Sequence, residues 1–309
     1  ISVLASRTNE IKNTFTLNFT DQKSINEIKQ ARYLSNKIKA INKDIKISSK
    51  NIFNNLFKIY SDFDEPVPSS GLLMYKIMQE IYQKNSTKVL LTGDGSDEIF
   101  GGYQRHQIIH KKFLKSKKIE DIALGLNYLT INRFKKFLGI HNYVIPKNRI
   151  NFLKKIENFD PLSIIFLNDL KFYLPQFLKS NDRIAMEFST ELRSPFTDHS
   201  LVQAAFNIPN KFKIKKNIQK YILHKVFHKI FEEKRIRKKK FFHVPYVASE
   251  FESGVLKNIF LDLLHNSKIS RFYDINGLKK LLNDHSIKND HSNTLFRFLT
   301  LELFLRSKI

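Results

Sequence analysis

The sequence predicts an α/β fold: a doubly wound parallel sheet with helices on its faces, followed by a mostly helical C-terminal part. Three observations predict it. Strand-like and helix-like patterns alternate β-α-β-α-β up to Leu91, the order that lays helices over a parallel sheet. From Lys111 onward glycines become rare, and apolar residues recur at helical spacing through Leu114, Ile122, Leu126, Leu129 and Phe134. Between them, Lys88 to Arg105 reads as strand, glycine turn and helix start. A soft boundary near 115 divides an α/β part, 1–115, from a helical part, 116–309.

In chain order, Ile1 to Ser6 reads as part of a helix already under way. Thr14 to Phe19, TFTLNF, alternates and is rich in aromatic and β-branched residues, as a strand should be. Asp21 to Ile41 follows as a helix, with Ile25, Ile28, Ala31, Leu34, Ile38 and Ile41 on one face and Ser24 with Glu27 as a capping box. Ile45-Lys46-Ile47 is a short strand candidate and Asn51 to Tyr60 a further helix. Pro66 and Pro68 make a loop. Pro146 and Pro161 punctuate the helical part, which carries no internal repeat.

The run Val89-Leu90-Leu91 is long enough for one buried strand and too short for a helix. Thr92-Gly93-Asp94-Gly95-Ser96 then turns, and Asp97 and Glu98 open a segment with Ile99, Phe100 and Tyr103 at helical spacing. That order is the geometry of a ligand site at a strand's carboxyl end. Acids near a helix start are favoured by its dipole, but capping needs one acid. Asp94, Asp97 and Glu98 within five residues suit a hard cation such as magnesium.

Composition narrows the classes. With 309 residues the chain can bury a core, and 42% hydrophobic content excludes a mainly disordered one. Lys and Arg number 53 against 29 acids, a net +24 that suits an anionic partner: nucleic acid, phosphate or an acidic surface. The Lys, Ile, Asn and Phe excess is spread over the whole chain, as a composition bias would be, so nucleic acid is not the expected main partner. There is no cysteine, which excludes disulfides, thiolate metal sites and a cysteine nucleophile in this chain. No apolar run approaches membrane-spanning length, and a cytoplasmic protein is expected. The histidine pairs His106/His110 and His224/His228 have zinc-compatible i, i+4 spacing. They lack the Glu of H-E-x-x-H and an evident third ligand, so solvated or capping histidines are the expectation.

TGDGSDEIFGGYQR, long and ungapped, closely resembles the SGDGxDExFGGY signature of glutamine-dependent asparagine synthetases, in their synthetase domain. LPQFLKSNDRIAMEFSTELRSPFTDHSLVQAAFNIP, Leu174 to Pro209, is similar to that family's LPxxLLxKxDRxSMAxSLExRxPFLDxxLVxxAxxLP. An amphipathic helix and a Pro195 turn explain its apolar positions but not the charges of Asp182, Arg183, Glu191 and Arg193. RKKKFFHVP resembles the family's RxKxGFxxP, with Phe241 in place of glycine. Asp64-Glu65-Pro66 matches its DEP turn. DHSNTLFRFLTLELFLR resembles its closing helix, with phenylalanine where tryptophan usually stands. The likeness runs essentially from Ile1 to the C-terminus.

The resemblance implies an ATP-pyrophosphatase (adenine nucleotide hydrolase-like) fold and the adenylation of aspartate by Mg-ATP, followed by amidation with ammonia from glutamine. It implies Asp97 as Mg²⁺ ligand, and Thr92, Gly93 and Leu17 as ATP contacts. Asp94 stands where relatives form the acyl-adenylate, or serves to orient the loop. Lys239 is the lysine facing the reacting centre, with its neighbour Lys240 kept beside it. Glu98, Asp182, Arg183, Glu191 and Arg193 are further candidates. The KRIRKKK run, Lys234 to Lys240, is otherwise a solvated charge run. The family's SGGxDS phosphate loop and its N-terminal glutaminase domain are absent from this sequence, so the chain reads as a fragment or a decayed copy, and alone a poor catalyst. A glutaminase domain is expected upstream in the same polypeptide, and a homodimer stays open. Two alternatives remain: a related amidotransferase or lactam-forming enzyme acting on another acid, and a non-catalytic basic binding module.

Overall fold

A computed structural model describes residues 1–308 apart from residues 9, 22–26, 49–51, 54, 55, 64, 67, 86, 126, 127, 141–143 and 232–246. The first third runs α1 (Ser2–Ala5), β1 (Asn13–Phe19), α2 (Ile28–Lys37), β2 (Ile41–Ile47), α3 (Leu56–Asp62), α4 (Ser69–Asn85) and β3 (Val89–Leu91). Helices α5 (Ser96–Phe100), α6 (Gln104–Ser116), α7 (Ile119–Leu124), α8 (Tyr128–Leu138), α9 (Lys147–Lys155), α10 (Pro161–Phe172) and α11 (Leu174–Glu187) lead to β4 (Glu191–Arg193). After a 3₁₀ turn (Pro195–Thr197) come α12 (His199–Asn207), α13 (Asn210–Lys213), α14 (Tyr221–Phe231), α15 (Val247–Ser253) and α16 (Val255–His265). A second 3₁₀ turn (Lys268–Arg271), α17 (Ile275–Asp284) and α18 (Ser292–Lys308) close the chain.

The described strands form two separate parallel pairs, β1 with β2 and β3 with β4, rather than one doubly wound sheet. In β1 the period of two sorts the side chains. Thr14 and Thr16 both donate to Asn42 Oδ1 at 2.9 Å, while Phe15, Leu17 and Phe19 pack on the core. The helix expected from Asp21 to Ile41 is shorter. Lys39 adopts φ 56°, which ends α2, and Ile41 already donates to Lys12 and pairs in register with Asn13. The short strand expected at Ile45–Ile47 is therefore the second half of a seven-residue strand. Glu27 is the residue before α2, but its side chain makes no capping bond there, and Ser24 lies outside the described residues.

The largest apolar core joins both halves of the sequence. Ile45, Ile59, Leu72 and Ile81 share it with Ile184, Phe260, Leu278 and Leu299. A second cluster ties α6 and α7 to α9 and α10 through Ile109, Ile122, Leu153 and Ile165. A third sets Ile99 and Phe100 of α5 against Ala205 and Leu201 of α12. Local caps agree with these starts: Asp160 accepts from the backbone of Leu162 and Ser163 at the head of α10, and Asp198 from Leu201 in α12.

Lys213, at the end of α13, is fully buried, and its Nζ has no hydrogen-bond partner among the described residues. It lies 4.8 Å from the ring centre of Phe206 and 5.2 Å from that of Phe166. Burial pushes the ammonium from 10.5 down to about 8, against a weaker pull from Asp160. Replacement by Met removes the buried charge and loses the ring contacts. Lys213→Met is expected to stabilise the fold by about 1–3 kcal/mol at pH 7. Because the folded value lies below the unfolded one, the unfolded chain binds more protons between them. Stability of the parent should therefore rise as pH climbs from about 8 toward 10.5, and that of the variant should not. Urea unfolding across this range checks it; equal slopes would discard the assignment.

Candidate functional site

The site is built on β3. Its three residues pair with Glu191, Leu192 and Arg193 of β4, and the Thr92 amide extends the ladder by donating to Arg193 at 2.9 Å. The chain then leaves the sheet through Gly93, Asp94 and Gly95. Gly95 has φ +88°, and a Cβ there would come 2.9 Å from the Thr197 methyl, so the turn requires glycine on two counts. The result is a wall of a cavity of about 1000 Å³, with Thr92, Gly93, Asp94, Asp97 and Glu98 along it. The opposite side comes from β1, at Asn13, Thr14 and Phe15. Met74, Ile77, Met78 and Ile81 of α4 also line it.

The three acids are not a cluster. Each is engaged differently. Asp94 Oδ2 accepts from Thr92 Oγ1 at 2.9 Å and from Asn181 Nδ2 at 3.4 Å, and Thr92 Oγ1 also meets Ser194 Oγ at 2.9 Å. Burial raises the Asp94 carboxyl above its ordinary value, with those two bonds pulling the other way. Glu98 is buried and accepts from the Tyr103 hydroxyl at 2.7 Å; burial likewise raises it. Asp97 Oδ2 stands 3.0 Å from Lys220 Nζ. Among the described residues no group of three His, Cys, Asp or Glu is placed to hold a metal. The donor set does not make an all-protein metal cage. It fits a magnesium ion that keeps water and takes its remaining ligands from phosphate, with one carboxylate from the chain.

Behind Glu98 lies a buried network that sequence reasoning missed. Asp169 of α10, nearly inaccessible, accepts from Arg105 Nη2 at 2.5 Å and pairs with His106 Nε2 at 2.9 Å. The Arg105 guanidinium is 3.8 Å from the ring centre of Tyr103 and 4.6 Å from that of Tyr173, and both rings line the cavity. Burial would raise Asp169, but the His106 bond and the Arg105 charge outweigh it and hold the carboxyl below its usual range. Burial lowers His106, so its ring stays neutral. His106 is thus a buried histidine bound to a carboxylate, where a solvated or capping one was expected.

The other expected residues divide. Leu17 packs against the main core and does not line the cavity. Asp182 is exposed and Arg183 half-buried; neither lines the cavity, whereas their neighbour Asn181 does. Glu191 and Arg193 are exposed on β4 and bond to each other at 2.9 Å. Asp64, Lys239 and Lys240 lie outside the described residues. Asn181, Ser194 and Lys220 were also missed. These sit next to motif residues or in segments without special composition.

Comparison with known proteins decides the family. The sequence model of the asparagine synthase family matches residues 1–306. The chain belongs to the asparagine synthase family. It is 26% identical over 332 residues to asparagine synthetase [glutamine-hydrolyzing] 1 of Bacillus subtilis, covering 93% of this chain and 50% of that protein. Asparagine synthetase [glutamine-hydrolyzing] 3 of the same organism is 27% identical over 208 residues, 64% of this chain and 33% of that protein. A putative asparagine synthetase [glutamine-hydrolyzing] of Mycobacterium tuberculosis is 25% identical over 342 residues, 98% of this chain and 52% of that protein. The chain spans about half the length of the relatives that it matches along most of its own length. The stretch that resembles the asparagine synthase signature, Thr92 to Glu98, contributes five residues besides Glu98 to the cavity lining, while β4 contributes Leu192 alone.

Proposed function

We propose that this chain is the synthetase part of a glutamine-hydrolysing asparagine synthetase. ATP activates the side-chain carboxylate of aspartate as an acyl-adenylate with release of pyrophosphate, and ammonia displaces AMP to give asparagine. Adenylation turns a poor leaving oxygen into a good one, and an enclosed site shields the intermediate from water. The observation that carries this reading is the placement of Thr92, Gly93, Asp94 and Asp97 on one wall of a large cavity, at the carboxyl end of a parallel strand.

In this reading Thr92 and Gly93 contact the nucleotide and Asp97 would hold Mg²⁺, while Leu17, packed on the core and off the cavity lining, backs the adenine side only indirectly. Magnesium, when bound, neutralises charge on the phosphates. Asp94, its carboxyl fixed by Thr92 and Asn181, orients the reacting groups, and Lys239 or its neighbour Lys240 stabilises the charge that develops on the leaving pyrophosphate. Ammonia comes from glutamine through a glutaminase domain of the kind the relatives' names imply. Residues 1–115 and 116–309 are the nucleotide-binding and helical parts. No helix among the described residues is long and apolar enough to cross a membrane, which suits a cytoplasmic enzyme.

The doubly wound sheet belongs to the same proposal. One added strand between β1 and β3 would join the two pairs into a five-stranded sheet. Support comes from the cavity itself, which runs between these strands, and from Val89 and Leu91, apolar residues left 41% and 43% exposed beside it.

The full-length gene product is expected to exchange labelled pyrophosphate into ATP only when aspartate is present. Exchange driven by a different acid would move the reading to a related amidotransferase or lactam-forming enzyme. Steeply salt-dependent polyanion binding without exchange would replace it with a basic binding module.

A further inference from the structure

Lys220, one residue before α14, reaches across to α5. Its ammonium is 3.0 Å from Asp97 Oδ2 and donates to Ser96 Oγ at 2.7 Å. The side chains of both ion-pair partners are only 22% exposed. Gly102 makes room for them. A Cβ on that residue would fall 1.9 Å from Asp97 Oδ1 and 2.3 Å from Lys220 Cε, so the second glycine of the FGGY stretch is the gap into which the pair fits. Lys220 also adopts a left-handed φ of 50°, a conformation that non-glycine residues adopt only where their surroundings impose it.

We infer that Lys220 is a positioning residue that lets Asp97 take a divalent cation arriving with nucleotide and refuse the free cation. This rests on Asp97 as the metal ligand proposed above. A bare dication on Asp97 would stand within a few ångström of an ammonium that the packing holds in place, at a site where water screens the repulsion only in part. Triphosphate oxygens bring the negative charge that allows two cations to share one carboxylate. Without them, the ammonium already supplies the counter-charge and the dication has little to gain. The Mg²⁺ preference for sites completed by phosphate then becomes a property of this chain's own side chains as well as of the ion.

The test uses Mn²⁺ alone, followed by its EPR signal, on the full-length gene product. Lys220→Met should bind free Mn²⁺ at least about tenfold more tightly than the parent, and Lys220→Arg should behave as the parent. A lysine that merely props α14 against α5 would weaken metal binding when removed, so the sign of the change separates the two roles. Lys220→Gln, which can still bond Ser96, serves if the Met variant does not fold. Unchanged or weaker binding of free Mn²⁺ in the neutral variants overturns the inference. Asp97→Asn distinguishes the levels. If Mn²⁺-ATP binding survives that change, the metal-ligand reading falls and this inference with it. If it is lost while Lys220→Met gains nothing, only the role of Lys220 falls.

Discussion

Asp97→Asn is expected to lower aspartate-dependent pyrophosphate exchange at least about a hundredfold while leaving the fold intact. The amide keeps the shape of the side chain but removes the charge that a magnesium ligand supplies. Little structural harm should follow, because Asp97 is partly exposed on the cavity wall and its pairing with Lys220 is not a core contact. Circular dichroism and thermal unfolding measure the fold, and labelled pyrophosphate exchange measures the chemistry. Lys239→Ala should lose exchange with the same preservation of fold, and near-normal exchange in either variant would discard that residue's role.

Asp169→Ala should destabilise the protein by about 3 kcal/mol, because it leaves the buried His106 ring and the partly buried Arg105 cation without the carboxylate that both bind. In a chain of this size that is a fall in Tm on the order of 10 °C. The pH dependence has a definite sign. His106 titrates lower in the folded state than its ordinary 6.5, so the unfolded chain takes up protons first and stability declines as pH drops below that value. Asp169 is held below its ordinary 3.8, so its contribution is present above that pH and is lost as pH falls further. Both effects weaken the protein in acid. The variant lacks the Asp169 component, and its stability should fall less steeply below about pH 4. An acid limb as steep in Asp169→Ala as in the parent would show that the network does not carry it.

Local signals made part of this architecture legible. TFTLNF alternates, and the structure makes it a strand; Val89-Leu90-Leu91 followed by a glycine turn is strand and turn, but Val89 and Leu91 are exposed rather than buried as expected. The helix-to-strand change near Lys39 was not legible. The isoleucines at 38 and 41 continue the helical spacing, and only pairing with β1 pulls Ile41 into a strand. At the site, residue types showed that an acidic turn meets a ligand. They did not show that Asp94, Asp97 and Glu98 would have three different partners, because Asn181, Lys220 and Tyr103 reach them through tertiary contacts. The buried network had one sequence trace: Asn168 and Asp169 interrupt the apolar run of α10, a costly choice unless a cation waits opposite.

The β3–β4 ladder has a consequence for how the protein is made. It joins Thr92 to Ser194, 102 residues apart, with seven helices between them among the described residues. Closing a loop of that length costs roughly 4 kcal/mol of chain entropy before any contact returns it. A nascent chain that has passed Gly93 therefore has the signature turn but no partner strand to hold it. The wall can be set only after α11 and β4 have left the ribosome. Until then Val89 and Leu91 lie on a short strand open to wrong pairing. Newly made chains should be most prone to aggregate between synthesis of β3 and β4.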